Sequence, residues 1–564
     1  MLTGFGENCS ISFSKEEIMN IKLLRIHGAG WIGVLSVATM LMIFTYLIGR
    51  TALFFIAPYA WYEKIVAALL LLAEFFILIH GFGYFLNILH VSTHSATEKD
   101  VQGRDLPMPQ TYPPVAIIVS SYKEPITVVR DTLTCFYNLT YPNKHLYFLD
   151  DTRYDIAWDT PENMADYRSQ IDQLCQDIGI NLFRRKWRGA KAGMINDFLD
   201  FIDGNVRNDF YFHPFGPRKK TEKEKYIIVF DADMNPFPDF VEPLVAIMEN
   251  QPRLAFIQTP QYYSNFEFNR VARASGLQQA IFYEYICEGK SLQDAMFCCG
   301  TNVMFRREAL DAVGGFDESS VTEDFATSLK FHVAGWSSRY LNRVCAFGMG
   351  PEDLGGYFKQ QFRWALGTVG LFRTIIADFI RDPSILSAMK WWEYFLSGSH
   401  YFVGWVFMIM VYCPILYLFG DVPSYFARPE IYFLLFVPYM VLSLSMFVST
   451  MHQRRYSLTE LGQGILLNAI CFPVFMKASL LGILGVKGTF GITPKGQSRA
   501  LPLWGLWPQL TSAFLCFSAL VWGAHRLYFE REPVGAIVMN MLWCAYHFII
   551  LSMTLYFNHP QEDS

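Results

Sequence analysis

The sequence predicts an α/β domain inserted between two groups of membrane-spanning helices. Three observations predict it. The 564 residues are 52% hydrophobic and 16% aromatic but only 17% charged, too apolar for an ordinary soluble chain of this length. Long apolar runs crowd both ends, within residues 28–89 and 391–557. Between them charge returns, and short β-prone runs alternate with helical patterns, as in a parallel sheet flanked by helices. The division is 1–91 for a membrane region, 92–382 for the α/β domain and 383–564 for a second membrane region.

Residues 1–27 are polar and charged, unlike a cleavable signal peptide. Residues 28–48 and 65–89 are each long enough, at about 1.5 Å per residue, to span about 30 Å of hydrocarbon. Tyr59, Trp61 and Tyr62 sit between them as interface anchors. In the central block, residues 115–120, 145–149, 227–230 and 255–257 read as strands. The basic, Pro-containing stretch 207–225 reads as a surface loop. Further spans fall within 391–419, at 431–451, at 503–522 and at 534–557. The stretch 458–484 is apolar but interrupted by Glu460, Gln463, Asn468, Pro473 and Lys477, and is expected to lie along the interface. Basic residues favour the cytoplasmic side. Arg454, Arg455, the loop 487–499 and the α/β domain are therefore expected there, giving six spans with both termini inside. A net charge of −5 gives no reason to expect nucleic acid. The 11 cysteines include no C-x-x-C pair, so neither zinc nor a disulfide framework is indicated.

The chemistry centres on Tyr226-Ile-Ile-Val-Phe-Asp-Ala-Asp233, a buried strand running into two carboxylates. Ligands of open α/β sheets sit outside the C-terminal strand ends, and alternate residues of an extended chain point the same way. Asp231 and Asp233 could thus share a hard cation that keeps sites free for phosphate; an ordinary strand-end pair is the plainer reading. Ser121-Tyr-Lys-Glu-Pro125 follows another strand and offers the Tyr122 ring and the Glu124 carboxylate. A carboxylate of Asp150-Asp151 could accept an imide N–H from uracil, or both could simply form a turn. In Ala190-Lys-Ala-Gly193, small residues surround Lys191, which could meet a diphosphate. Thr322-Glu-Asp324 opens a helix; it offers either a general base or helix capping by Thr322 with acidic residues at the positive end. Gln360, Arg363, Trp364 and Gly367 share one helical face opposite Phe358, Phe362, Ala365, Leu366 and Val369. Arg363 can neutralise a leaving phosphate and Trp364 can stack on a sugar. An amphipathic interface helix with a snorkelling arginine has the same pattern.

Together with Gln258-Thr-Pro260 and Phe297-Cys-Cys-Gly-Thr301, these motifs occur in the order that characterises processive glycosyltransferases of family 2. The chain resembles the bacterial cellulose synthase catalytic subunits over roughly residues 113–500. Phe490-Gly-Ile-Thr-Pro-Lys-Gly496 resembles their gating loop. The resemblance implies a cytoplasmic GT-A domain joined to a polymer channel in a bacterial inner membrane, using Mg2+ or Mn2+. By the same likeness Asp324 is the general base and Arg363 assists the leaving group. Tyr122, Glu124, Asp150, Lys191, Asp231, Gln360 and Arg363 contact the donor. Asp231 and Asp233 hold the metal. Trp364, Cys299, Gly300 and Thr301 border the acceptor, and Phe490, Ile492, Thr493 and Lys495 form the gate. The implied reaction is inverting polymerisation of a β-glucan from UDP-glucose, with the growing polysaccharide, the bilayer and accessory export subunits as partners. Alternatives are a non-processive transferase to a lipid carrier, or a synthase using another nucleotide sugar. A non-enzymatic transporter does not predict the ordered motifs. Departures from the pattern are Thr152-Arg153 where Gly commonly follows Asp-Asp, and Met234 where His often follows Asp-x-Asp. These leave (1,4), (1,3) or mixed linkage open. The sequence also stops soon after the last apolar run, so a cyclic di-GMP-binding PilZ domain is not expected.

Overall fold

The structure is a computed structural model that describes residues 15–94, 108–217, 223–267, 269–425, 429–486, 488, 499–530 and 534–559. Its strands are β1 (Val115–Ser121), β2 (Lys144–Asp150), β3 (Asn181–Arg185), β4 (Phe210–His213), β5 (Tyr226–Asp231), β6 (Asn235–Pro236), β7 (Leu254–Gln258), β8 (Tyr262–Tyr263), β9 (Val303–Arg306), β10 (Ser337–Tyr340) and β11 (Ala346–Gly348). Helices α1 (Lys15–Ile56) and α2 (Trp61–His94) precede them. Between the strands lie α3 (Ile126–Tyr137), α4 (Pro161–Ile178), α5 (Ala190–Ile202), α6 (Val241–Asn250), α7 (Arg270–Ile281), α8 (Cys287–Leu292), α9 (Arg307–Val313) and α10 (Glu323–Val333). Then come α11 (Leu354–Arg381), α12 (Ala388–Ser399), α13 (Val403–Gly420), α14 (Pro429–Gln453), α15 (Leu458–Ile470), α16 (Phe472–Ile483), α17 (Trp507–Phe529) and α18 (Val534–Phe557).

Eight strands form one sheet in the order β10-β7-β9-β5-β1-β2-β3-β4. β1, β2, β3 and β5 run parallel, whereas β9 is antiparallel to both β5 and β7. The continuous apolar run of β5 is explained by burial on both faces, as expected of a central parallel strand. Ile228 and Phe230 join a core with Ile117, Val119 and residues of α3, α4 and α6; Ile227 and Val229 join the opposite core with Ile118, Tyr147 and residues of α5 and α9. A small sheet, β6-β11-β8, sits beside the strand ends. Local signals match the helices: in α4, Thr160 accepts from the Asn163 N–H, Pro161 opens the first turn, and Gly179 at φ 79° ends it.

One expectation is corrected here. Within 207–225, residues Phe210–His213 form β4, antiparallel to β3 at the sheet edge. Phe210 and Phe212 turn toward Phe183 and Phe201, a hydrophobic reward that the basic neighbours conceal.

Among the described residues, six helical segments are long and apolar enough to cross a membrane. Helices α15 and α16 form a seventh segment bent by 51°. Both halves dock on the α/β block: Gln278 of α7 donates to Asn468 of α15 at 2.9 Å, and the Lys477 ammonium of α16 lies 5.8 Å from the Phe362 ring of α11. A buried pair, Arg50 Nε to Glu74 Oε2 at 2.7 Å, ties α1 to α2.

Candidate active site

The parallel register brings the motif residues to one sheet edge. Ser121 lies opposite Asp150, and Ser120 opposite Asp231. The Asp231 side chain is 47% exposed, and its backbone N–H donates to Thr301 Oγ1 at 2.9 Å. Lys191 reaches it from the start of α5, donating to Asp231 Oδ1 at 2.5 Å and to the Gly300 carbonyl at 2.7 Å. Burial opposes the Lys191 charge, but Asp231, Glu323 and Asp324 hold the ammonium above its usual range.

Asp324 stands on the other side of Gly300. Gly300 has φ 82°, and a Cβ there would lie 3.0 Å from Asp324 Oδ2; only glycine combines that backbone with so close an approach. Asp324 Oδ1 accepts from the Phe325 N–H at 2.8 Å. Burial, with the neighbouring Glu323 carboxylate adding to it, pushes the Asp324 carboxyl up to about 7. Thr322 does not cap α10; its hydroxyl pairs with Ser320 at 3.1 Å. Thr322 thus stands at the N-cap position without a side-chain cap bond, while Glu323 and Asp324 do lie in the first turn of α10. Gln258 organises the strip in front of Asp324: its Oε1 accepts from the Cys299 N–H and its Nε2 donates to the Thr301 carbonyl, both at 2.8 Å.

Helix α11 closes the site. Ala365, Leu366 and Val369 are buried, Phe358 and Phe362 pack beside them, and Arg363 and Trp364 are half-buried. At Gly367 a Cβ would collide with the Thr322 side chain and with Val321, so α11 and the loop carrying Asp324 touch at this glycine. Gly367→Ala is expected to force them apart, costing about 1–3 kcal/mol as overpacking. Displacement of the loop that carries Asp324 is expected to lower sugar transfer by about tenfold or more; thermal unfolding and initial rates check the pair. Tyr263, a residue the motifs did not single out, hydrogen-bonds Gln279 at 2.5 Å and also Gln360, and it feels the Asp233 charge. Its position, three residues after Gln258-Thr-Pro260, was the available signal. Glu323, also missed, feels Lys191, Asp231 and Arg363 together.

From Val321 and Arg363 a cavity of about 950 Å³ runs between α11, α13, α16 and α17. Phe358, Trp405, Tyr412, Phe472, Lys477 and Trp507 are among its walls.

The flank at β1 and β2 differs from expectation. Asp150 is 3% exposed; its Oδ2 accepts from Arg184 at 2.7 Å and Tyr154 at 2.9 Å, and its Oδ1 from the Thr152 N–H at 3.1 Å. Those donors occupy Asp150, which makes it an anchor of the loop. Asp151 is also buried, with Arg185 at 3.4 Å, and burial pushes its carboxyl up to about 7. Thr152, in place of glycine, accepts from the Lys123 N–H at 3.3 Å, and Arg153 stacks on Trp187 at 4.5 Å. Tyr122 is half-buried near Arg153 and Asp151, and the Glu124 carbonyl accepts from Tyr167 at 2.9 Å. Met234 is 4% exposed in the core, so it is no ligand. Phe490, Ile492, Thr493 and Lys495 lie outside the described residues.

Among the described residues no cluster of three or more His, Cys, Asp or Glu side chains could hold a metal ion alone. Asp231 and Asp233 nevertheless fit a hard divalent cation. They supply oxygen only, both are partly exposed, and a cation with few protein ligands completes its shell with water and phosphate.

Comparison with known proteins agrees with this geometry. The family model described as "Glycosyl transferase family 2" matches residues 116–314, and "Glycosyl transferase family group 2" matches 226–448. The chain carries a family 2 glycosyltransferase domain. Its fold is the GT-A-like one of such domains, a central sheet with the site at the strand ends, here joined to six apolar helices. The UDP-forming cellulose synthase catalytic subunit of Pseudomonas fluorescens (strain SBW25) is 28% identical over 461 residues, 79% of this chain and 56% of that protein. "Cellulose synthase 2" of Novacetimonas hansenii is 27% identical over 470 residues, 79% of this chain and 27% of its own length. The chain thus spans about half or less of these relatives. A mannosyltransferase from Pyrobaculum calidifontis, solved with GDP-Man and Mn2+, overlays with a TM-score of 0.46 and 15% identity, covering 75% of this chain and all of that one.

Proposed function

We propose that the protein is a processive, inverting glycosyltransferase that polymerises a β-glucan from UDP-glucose and passes it into the membrane region. The observation that carries this reading is the placement of Asp324. It sits against Gly300, within reach of the Lys191 charge, and three residues after Val321, which lines the 950 Å³ cavity. A base whose own loop supplies Val321 to the wall of an aromatic-lined cavity suits an acceptor that stays threaded while its end is extended.

Asp324 takes the proton from the acceptor's terminal hydroxyl as that oxygen attacks the donor's anomeric carbon from the face opposite UDP. One displacement inverts an α-linked donor to a β-linkage. Lys191 and Arg363 stabilise the charge gathering on the diphosphate. A divalent cation held by Asp231 and Asp233 would supply further charge neutralisation there. Gln360 and Trp364, with Tyr263 behind Gln360, position the acceptor end, and the Cys299-Gly300-Thr301 strip forms its floor. Tyr122, Glu124 and Asp151 face the nucleoside, with Asp150 holding their loop. Asp151, held by Arg185 and with Arg153 nearby, offers an acceptor beside a donor, which suits the imide edge of uracil. The docked α15–α16 pair lies along the membrane surface, and the α/β domain is cytoplasmic in a bacterial inner membrane.

The experiment is a donor panel with purified protein: UDP-glucose, UDP-N-acetylglucosamine, UDP-glucuronate and GDP-mannose, each with Mg2+ or Mn2+ and with EDTA. UDP-glucose is expected to be used best, EDTA to abolish transfer, and added metal to restore it. Transfer from another donor alone would overturn the substrate, and undiminished transfer in EDTA would overturn the metal. The raised Asp324 carboxyl sets a further expectation. Only its deprotonated form acts as base, so kcat/KM should rise with pH along a limb centred near 7 rather than near 3.8. A flat profile from pH 5 to 8 contradicts this.

A further inference from the structure

Between α7 and α8 the chain makes one π turn, Phe282–Ile286, a feature often found at functional sites. Its inner side chain, Glu284, is 8% exposed. Arg454, just beyond α14, holds it: the Arg454 guanidinium lies 3.1 Å from Glu284 and 2.6 Å from Glu288. Tyr262 donates to Glu284 at 3.0 Å, and Asn342 donates to it at 3.1 Å. The guanidinium also covers the Tyr285 ring at 4.7 Å, and Tyr285 donates to the Thr450 carbonyl of α14 at 3.1 Å. A buried cluster of this kind contributes geometry more surely than stability.

The other side of the same turn faces the reaction centre. The Phe282 ring is 5.8 Å from Phe297, and Phe297 is 4.8 Å from Phe325, whose N–H donates to Asp324. Tyr283 is buried in the core against which Cys299 packs, and the two groups interact electrostatically. Residues 282 and 283 thus lie against Phe297 and Cys299, in the strip whose Gly300 meets Asp324.

We propose that Arg454 is a positioning residue for sugar transfer. By clamping Glu284 and Glu288 it sets the register of the π turn, and that turn sets the acceptor strip against Asp324. The membrane helix α14 is thereby coupled to transfer more than to donor binding, whose nucleoside groups lie across the site at the ends of β1 and β2. The inference rests on the acceptor role given above to Phe297–Thr301.

The test uses the full chain in lipid nanodiscs with UDP-glucose, in the variants Arg454→Gln and Phe282→Leu. Phe282→Leu keeps the ion cluster and alters the ring contacts with Phe297 and Tyr283. Three quantities are read: the UDP-glucose KM, the transfer rate, and the share of UDP release that is plain donor hydrolysis. Both variants are expected to slow transfer about tenfold or more, leave the donor KM within about twofold, and raise the hydrolysis share. An unchanged hydrolysis share in Phe282→Leu, or transfer and hydrolysis falling in proportion, overturns the coupling. If Arg454→Gln does not fold, Phe282→Leu decides alone. Asp324→Asn separates the two levels: if it keeps full transfer, the proposed reaction itself fails; if it is inactive while the shares stay fixed, only the coupling fails.

Discussion

Asp324→Asn is expected to lower sugar transfer about a thousandfold while leaving UDP affinity nearly unchanged. The size follows from the ordinary contribution of a positioned base, roughly a hundred- to ten-thousandfold. Asparagine keeps the shape and can still accept from the Phe325 N–H, so the loop that packs on Gly367 should stay in place. It cannot take a proton. The pH limb near neutrality should vanish with the carboxyl that produces it. Single-turnover transfer and UDP titration separate the two effects. A variant with more than a tenth of the parent rate contradicts the assignment, whatever its stability. A non-enzymatic transporter would also be unaffected by this change, so the same variant decides between the classes of function.

Lys191→Met is expected to have the next largest effect. The ammonium contacts Asp231 and the Gly300 carbonyl at once, so it joins the proposed metal side of the site to the acceptor strip. Removing it deletes one positive charge where the leaving diphosphate gathers negative charge, a change worth about a hundred- to a thousandfold in rate for a preorganised electrostatic group. UDP binding should weaken as well, since the ammonium acts on ground-state phosphate too. Stability should change little, because Asp231 is half exposed and water replaces its partner. Isothermal titration with UDP and Mg2+, together with initial rates, measures both. Unchanged UDP affinity would place the diphosphate elsewhere.

Much of the fold is legible in the sequence because its central strands are buried on both faces. Residues 115–120, 145–149, 227–230 and 255–257 stand out as short apolar runs, and each lies inside an observed strand. β4 is less legible: Phe210 and Phe212 alternate with exposed partners, but the basic and Pro-containing sequence around them reads as loop. The long-range contacts are not legible at all. The packing of Thr322 under α11 depends on Gly367, more than forty positions away. Glu323 and Tyr263 gain their surroundings only when α10, α11 and β8 converge. The aspartate pair shows the same limit. Leu149 pairs with Phe183 across β2 and β3, so the next residue, Asp150, falls beside Arg184 and is consumed by it. Adjacency in sequence could not say which aspartate would be taken.

The most direct test of processive β-glucan synthesis is the product made by the purified protein in sealed lipid vesicles from UDP-glucose with Mg2+ or Mn2+, sized and then treated with glucanases of known linkage. The account predicts high-molecular-weight polymer from the first turnovers onward, sheltered inside the vesicles from added enzyme and degraded by a β-glucanase once the membrane is opened. Short soluble oligosaccharides, or a single-sugar glycolipid in place of polymer, would contradict it.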